Sequence, residues 1–285
     1  MIPIYGITKG FYYTKNQESY NALLIFSVYL TPLCFINDCR NYTHKREKEV
    51  VMDIYKIADL YIGMKVKGEL LKRQSQKYLS EESKLLNITI DIGPDFLKAK
   101  QLENKHLTFD ECEYIWTGSE FYHKLLDYDG FMLHSSAVAI DNAAYAFSAK
   151  SGTGKSTHAE LWQKYFGKER AIIINDDKPA IRYNGKEFIV YGTPWSGKTD
   201  KNNNIKVPLK GIVFIERSNK NWIKKIDNKD TIKMILDQTV RPKKIEKMDK
   251  LLGLIDELLK GVPIYKLACN ISEEAVKVAY DKISL

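Results

Sequence analysis

Apolar and polar residues alternate along several stretches in the first half of the chain, and a period of two is typical of β-strands. This alternation predicts strands from Asp53 to Val66 and from Leu86 to Ile92. A short amphipathic helix is predicted from Gly68 to Tyr78, and Gly93-Pro94-Asp95 has the composition of a turn. Thr108 and Glu111 have the spacing of a capping box, which predicts a helix from there to about Leu126.

In the second half, short apolar runs alternate with amphipathic segments, a pattern typical of α/β proteins. Apolar strands are predicted from Phe131 to Ile140 and from Ala143 to Ser148, and a buried strand from Ala171 to Asn175. The helix before the buried strand has Ala159, Trp162 and Phe166 on one face and Gly167 as its C-cap. Further strands are predicted at 188–191 and 212–215, and further helices at 231–240, 243–259 and 272–283.

Residues 1–51 differ from the rest of the chain, because they show no clear helix or strand period outside one apolar run. The run, from Asn21 to Ile36, is shorter than the roughly 20 residues that span a bilayer, and Pro32 interrupts it, so we predict no membrane segment. Lys48-Glu49-Val50 can be encoded by a sequence resembling a bacterial ribosome-binding site just before Met52. We expect translation to begin at Met52, with 1–51 a spurious or unstructured extension; the alternative is a genuine extension packed on the domain.

Composition excludes several classes of protein. Of 285 residues, 44% are hydrophobic and 28% are charged, which excludes a disordered chain, a collagen-like fibre and a disulfide-stapled miniprotein. The net charge of +8 is spread along the chain without a basic run, so no nucleic-acid partner is predicted. The four cysteines form no C-x-x-C pair, which favours free thiols and a cytoplasmic location.

The segment Ala149-x-x-x-x-Gly154-Lys155-Ser156 fits the pattern of a phosphate-binding loop between a strand and a helix. Gly152 and Gly154 let successive N–H groups turn inward around an anion, and the helix that follows adds its positive end. Lys155 can reach the outer phosphates of a nucleotide, and the Ser156 hydroxyl can bind Mg²⁺. A flexible loop without a ligand is the alternative.

Asp176-Asp177 ends the buried strand twenty residues after Ser156. A helix of roughly 12 residues returns the chain beside the loop, so a carboxylate there is expected near the metal. One carboxylate can bind Mg²⁺ while the other accepts a proton from an attacking hydroxyl. A simple Asx turn is the alternative.

For the other candidate site residues, the spacing in the sequence is weaker evidence of a functional role. His134 lies in an apolar stretch, where a histidine is more often a core residue than a ligand. The glycine-rich turn from Gly192 to Lys198 follows a strand and can approach a phosphate, with Lys198 as its charge, although it can also be an ordinary connection. Trp195 in that turn is expected to pack. Arg217 and Arg241 can bind phosphate oxygens, but most arginines are solvated.

Three segments in this order resemble one family: Leu133-His134-Ser135-Ser136-Ala137, the loop from Ser151 to Thr157, and Asn175-Asp176-Asp177. They are similar to the HPr serine kinase/phosphorylase catalytic domain and to ATP-dependent phosphoenolpyruvate carboxykinase, which share a fold. The resemblance covers about residues 52–285. It implies an α/β fold with a mixed sheet, a small N-terminal lobe at 52–125 and a phosphate-loop catalytic domain at 126–285.

The same resemblance implies roles for individual residues. The loop Ser151-Gly152-Thr153-Gly154-Lys155-Ser156-Thr157 would bind ATP, Asp176 would be the catalytic acid/base, and Ser156 with Asp177 would hold Mg²⁺. His134 aligns with a histidine near the metal and the phosphate, and Lys198 is a further candidate catalytic residue. Relatives assemble into multimers, so a homo-oligomer is possible.

The chain departs from both relatives. It is far shorter than a carboxykinase, and it lacks the separate N-terminal domain and the later signature of a true HPr kinase. We therefore expect a kinase that transfers phosphate from ATP to a hydroxyl, with serine in a protein or peptide as the favoured acceptor and a small molecule as another. The donor stays open, because the relatives use nucleotides, pyrophosphate or phosphate. The alternatives are a non-catalytic nucleotide-binding regulatory module and a carboxykinase-like lyase, which the length disfavours.

Overall fold

The computed structural model describes residues 52–82, 84–226 and 228–284. The expectation that residues 1–51 are a spurious or unstructured extension lies outside the described residues, as do the apolar run at 21–36 and two of the four cysteines. Cys112 and Cys269 are described, and both are buried free thiols.

The first part forms a three-stranded sheet covered by helices. Strands β1 (Asp53–Ile57) and β2 (Leu60–Met64) are antiparallel, and β3 (Ile88–Ile90) pairs with β2 in parallel. The helices are α1 (Glu69–Ser75), which continues into a 3₁₀ turn at Gln76–Tyr78, α2 (Pro94–Glu103) and α3 (Phe109–Leu125). The predicted capping box is confirmed, because Thr108 and Glu111 each bind the other's backbone N–H at the start of α3.

The described residues of the second part form a larger mixed sheet and four α-helices. Its strands are β4 (Gly130–Met132), β5 (Ser135–Ile140), β6 (Ala143–Ser148), β7 (Ala171–Asn175), β8 (Ala180–Tyr183), β9 (Phe188–Tyr191), β10 (Lys206–Arg217), β11 (Trp222–Lys225) and β12 (Ile264–Cys269). Its helices are α4 (Lys155–Phe166), α5 (Asn228–Leu236), α6 (Ile245–Gly261) and α7 (Glu273–Ile283). The predicted α/β class with a mixed sheet is therefore confirmed.

The directions of the strands determine which strand ends lie together at one edge of the sheet. Strand β10 runs parallel to both β6 and β12, while β5 runs antiparallel to β6 and to β7. The carboxyl ends of β6, β7, β10 and β12 and the amino end of β5 therefore lie at one edge of the sheet. Ligands of open α/β sheets bind outside the carboxyl ends of strands, so a ligand-binding site is expected at this edge.

Hydrophobic clusters fix this sheet and its helices. Ala159 and Trp162 on α4 are fully buried against the sheet, on the face that the sequence predicts. A second cluster joins the three-stranded sheet and α3 to Trp195, whose ring stacks on Phe121 with centroids 4.9 Å apart. Trp195 is 1% exposed, so its predicted packing role is confirmed. The domain division at residue 125 stays a prediction.

Three predicted elements need correction. The predicted strand at 53–66 is a hairpin, because Ala58 and Asp59 turn the chain at φ of 54° and 59°. The predicted turn at 93–95 begins a helix instead, with Gly93 as N-cap and Pro94 in the first turn of α2, where its missing N–H costs nothing.

The predicted strand at 131–140 is two strands that pair with different partners. Strand β4 pairs with β8, whereas β5 pairs with β6 and β7. The break falls at Leu133 and His134, where the His134 N–H donates to the Gln238 carbonyl at 2.7 Å. His134 therefore lies in a connection at the sheet edge rather than inside a strand.

Candidate functional site

A cavity of about 960 Å³ opens at the sheet edge where the strand ends meet. Its walls include the whole loop 151–157, which follows β6, and Asp176 and Asp177, which follow β7. His134 lines it from the amino end of β5, and Lys198 lines it from the segment after β9. The structure thus brings every predicted site residue to one cavity.

The loop itself has the backbone of an anion cradle. Gly152 and Gly154 have φ of 77° and 121°, which L side chains rarely adopt, and the space beside both is open. Helix α4 begins at Lys155, within the segment 151–157, so its unpaired N–H groups and positive end face the same space. This geometry suits a phosphate group.

Lys155 is folded back over the loop, where its Nζ donates to the Ala149 carbonyl at 3.1 Å. The side chain is only 7% exposed. Burial lowers the pKa of Lys155, and the carboxylates of Asp177 and Asp176 partly offset that effect. A phosphate in the cradle would give this buried charge a closer partner.

Arg217, at the end of β10, braces the loop from outside. Its Nε donates to the Thr153 carbonyl at 3.1 Å and its guanidinium also donates to the Gly152 carbonyl. The Thr153 N–H donates to the Lys150 carbonyl at 3.2 Å within the loop. The Gly154 N–H points away from the Thr153 carbonyl of the same peptide, so it lies on the side opposite Arg217 and is left for a ligand. The sequence suggests Arg217 only as a phosphate ligand, and this bracing role is visible only in the folded chain. Arg241, the other arginine that the sequence suggests, does not line the cavity.

Asp176 has one engaged and one free carboxylate oxygen. The residue is 4% exposed, and its Oδ1 accepts a hydrogen bond from the Ser136 hydroxyl. Its Oδ2 is buried and has no partner among the described residues. A buried carboxylate oxygen without a partner is costly, so this atom is a candidate for contact with a ligand, a metal or a proton donor.

Asp177 is ionised and held on both sides. His134 Nε2 lies 3.1 Å from its Oδ1, and Lys178 Nζ pairs with its Oδ2. Burial by itself would raise the pKa of Asp177, but the hydrogen bonds and charges of His134 and Lys178 outweigh burial and lower it to about 2. His134 is fixed in turn by Gln238, whose Oε1 lies 2.9 Å from Nδ1.

Asn175 positions the acidic pair. Its Oδ1 accepts the backbone N–H groups of Asp177 at 2.9 Å and Lys178 at 2.7 Å, so an Asx turn is formed by Asn175 and not by the two aspartates. Its Nδ2 donates to the Thr193 carbonyl at 3.0 Å. One buried amide thus connects the acidic pair to the glycine-rich segment 192–198.

That segment approaches Asp177 at Gly197. Gly197 has φ of 70°, and a Cβ there would lie 2.9 Å from the Asp177 Cβ and 3.1 Å from its Oδ2. The Gly197 N–H donates to the Tyr114 hydroxyl at 2.9 Å, and the nearby Trp195 is buried. Only glycine fits here without moving the carboxylate.

Lys198 follows Gly197 and lies exposed at the cavity wall. Within the part of the chain that the structure describes, it makes no ion pair. Its ammonium group is therefore available to an anion in the cavity.

The described residues of the site offer only a few side chains that could bind a metal ion. In the described ranges no group of three or more His, Cys, Asp and Glu side chains could enclose a metal ion. Mg²⁺ is usually bound by one or two protein oxygens, with waters and phosphates completing its shell. The Ser156 hydroxyl and the carboxylates at 176–177 are donors of that kind, so the residues present fit Mg²⁺.

Comparisons with known proteins do not assign the chain to a family. No family model matches it. No curated protein matches it either. Among solved structures it is similar to the Hpr(Ser) kinase/phosphatase from Coxiella burnetii, with 8% sequence identity and a TM-score of 0.32, over 53% of this chain and 94% of that chain. A likeness at this level carries no argument about function.

Within the described ranges, no helix has the length and apolar character that crossing a bilayer requires. The roles of Ser136, Gly197 and Gln238 were not predicted from the sequence. Ser136 and Gly197 lie within segments that carry the motifs, but only the folded chain shows which carboxylate each one lies beside. Gln238, more than a hundred residues after His134, gave no signal of its own.

Proposed function

We propose that this protein is a Mg²⁺-dependent kinase that transfers the terminal phosphate of ATP to a hydroxyl group, with serine in a protein or peptide as the acceptor. The observation that carries the proposal is the unpartnered Oδ2 of Asp176, buried in the cavity that the phosphate-binding loop also lines. A buried acceptor beside an anion cradle is what a general base for phosphoryl transfer requires.

The phosphates of ATP would bind the N–H groups of the loop 151–157 and the ammonium group of Lys155. Asp176 would accept the proton of the attacking hydroxyl at Oδ2 while the Ser136 hydroxyl holds Oδ1. Proton transfer of this kind contributes typically about 10²–10⁴-fold, and positioning with charge neutralisation supplies most of the remainder.

Ser156 and Asp177 would hold Mg²⁺, which when bound neutralises negative charge on the phosphate oxygens. Asp177 suits this role because its low pKa keeps it anionic at neutral pH. Both of its oxygens already have partners, so Lys178 would have to move aside to free Oδ2. His134 orients Asp177 through Oδ1, and Lys198 would contact the transferring phosphate.

Two substitutions test the proposal. Lys155→Ala removes the buried ammonium group, and we expect it to abolish ATP binding in calorimetry. Asp176→Asn keeps the shape of the side chain, so we expect ATP binding to persist and phosphate transfer to fall by about 10²–10⁴-fold. Transfer is read by mass spectrometry of candidate acceptors incubated with the protein, Mg²⁺ and labelled ATP.

Matched controls are available on the exposed surface of α2. Lys98→Ala and Asp95→Asn change the same residue types outside the cavity, and both should behave as the wild type. Undiminished transfer by Asp176→Asn would refute the assigned base. Tight ATP binding with no transfer to any acceptor by the wild type would favour a regulatory nucleotide-binding module instead.

A further inference from the structure

The cavity has two chemically different ends, and the order of strands separates them. Across the sheet the strands run β7, β5, β6, β10 and β12. The acidic pair follows β7, and the phosphate-binding loop follows β6 in the middle. The residues after β10 and β12 therefore line the far end of the cavity, on the other side of the loop from Asp176 and Asp177.

This far end is apolar. Four side chains line it, and we call them the apolar corner: Leu161 of α4, Ile215 of β10, Cys269 of β12 and Ile271. Ile215 and Cys269 form its buried wall, at 8% and 7% exposed, whereas Ile271 is 78% exposed. The large aliphatic side chain of Ile271 is thus mostly exposed to solvent at the cavity wall, where a bound ligand can bury it.

Apart from Arg217, whose guanidinium is bonded to the loop carbonyls, the polar groups that line the cavity beside the corner are uncharged. Asn219 and Asn270 line the cavity there, and each amide can both donate and accept hydrogen bonds. The Asn219 side chain is exposed and has no hydrogen-bond partner among the described residues. An apolar wall with amides at its rim does not suit another phosphate, but it suits a flat ring with nitrogen and oxygen atoms at its edge.

The corner is continuous with the cradle. Arg217 belongs to the same strand end as Asn219 and binds the loop carbonyls of Gly152 and Thr153, and all four residues line one cavity or contact its loop. A molecule whose phosphates occupy the loop can therefore reach the corner from one side and the acidic pair from the other.

Resting on the proposed function, we infer that the apolar corner binds the base of the donor nucleotide. The donor then lies across the sheet edge with its base near β12 and its terminal phosphate near β7. This orientation places the acceptor hydroxyl on the β7 side, beside Asp176. It also makes the donor a nucleotide, since inorganic pyrophosphate or phosphate would leave the corner uncovered.

The test compares ATP with tripolyphosphate, which has the same phosphate chain and no base, by calorimetry with Mg²⁺ on the full chain. The wild type should bind ATP at least about tenfold more tightly than tripolyphosphate. Ile271→Ala should weaken ATP binding by about tenfold and leave tripolyphosphate binding unchanged, because three carbons are lost from the ring contact only. Ile245→Ala is the matched control, since Ile245 is 75% exposed on α6 and does not line the cavity.

Each outcome has a distinct meaning. Equal affinity of the wild type for the two probes would overturn the base subsite and leave the phosphate cradle intact. Unchanged ATP affinity in Ile271→Ala, or an equal loss for both probes, would overturn it as well. If neither probe binds the wild type, the proposed function fails and the subsite fails with it. Because Ile271 is exposed, a melting temperature equal to that of the wild type is expected for the variant.

Discussion

Gly197→Ala is the sharpest single perturbation that this structure offers. An added Cβ would lie 2.9 Å from the Asp177 Cβ and 3.0 Å from its Cγ, and ordinary contact begins at 3.4 Å. The two groups must therefore separate by about 0.5 Å. The loop cannot easily supply the movement, because the Gly197 N–H is bound to Tyr114 and the neighbouring Trp195 is buried in the core.

The displaced group is the carboxylate that we assign to Mg²⁺. This ion demands nearly ideal octahedral geometry at about 2.0–2.1 Å, so a shift of this size is large for a ligand. Loss of the groups that orient a metal ligand typically costs about 10–100-fold in metal affinity, and a shift of about 0.5 Å is expected at the lower end of that range. We therefore expect the gain in ADP affinity on adding Mg²⁺ to shrink by about tenfold in Gly197→Ala.

Gly185→Ala is the matched control, because Gly185 also has a positive φ, 88°, and has nothing within 4 Å of its added Cβ. Each substitution lowers the free energy of unfolding by about 1–2 kcal/mol, because a residue with a Cβ is strained in left-handed backbone. The melting temperature falls by roughly 2–8 °C in a unit of this size. Only Gly197→Ala should change the ratio of ADP dissociation constants measured with Mg²⁺ and with EDTA. A ratio equal to that of Gly185→Ala would refute the positioning of Asp177 by Gly197.

Two other predictions concern the loop and a buried thiol. Arg217→Met should weaken ADP binding by about tenfold, because the loop loses two charge-assisted hydrogen bonds, and Arg217→Lys should not restore it without the planar fork. Arg241→Met is the control, and full affinity in Arg217→Lys would contradict the bracing role. Burial raises the pKa of the Cys269 thiol to about 11 from 9.0, so the folded state disfavours the thiolate. This contribution to stability is present below pH 9 and is lost as the pH rises through about 11. At pH 8, iodoacetamide should label the Cys269 peptide about 100-fold more slowly in the folded protein than in urea, as measured by peptide mass spectrometry; equal rates would contradict this burial.

Local signals in the sequence were sufficient for several elements. The capping box at Thr108, the amphipathic face of α4 and the apolar run of β7 all depend on neighbours within a few residues, and the structure confirms them. The proposed phosphate-binding loop is also local, since two glycines and a following helix define it. Such features are readable because their hydrogen bonds close within a single turn or strand.

Elements that depend on distant contacts were predicted wrongly or not at all. The hairpin turn at Ala58 and Asp59 lacks the usual Asn-Gly signal. It is held from elsewhere, because Arg182 donates to the Ala58 carbonyl and both Tyr191 and Lys206 donate to the Asp59 carboxylate. In the same way, the stretch at 131–140 breaks at His134 because Gln238 captures its backbone.

The candidate site likewise combines features that local sequence signals predict with features that depend on distant contacts. The sequence alone determined the residue types of the proposed site: a glycine-rich loop with Lys155, and the carboxylates of Asp176 and Asp177. Only the tertiary structure decided that Asp176 keeps a free oxygen while Asp177 is held by His134 and Lys178, and that Gly197 and Arg217 brace the two halves of the site. The reason is physical: residue type sets which group can bind or ionise, whereas burial and partners from distant strands set which atom remains available.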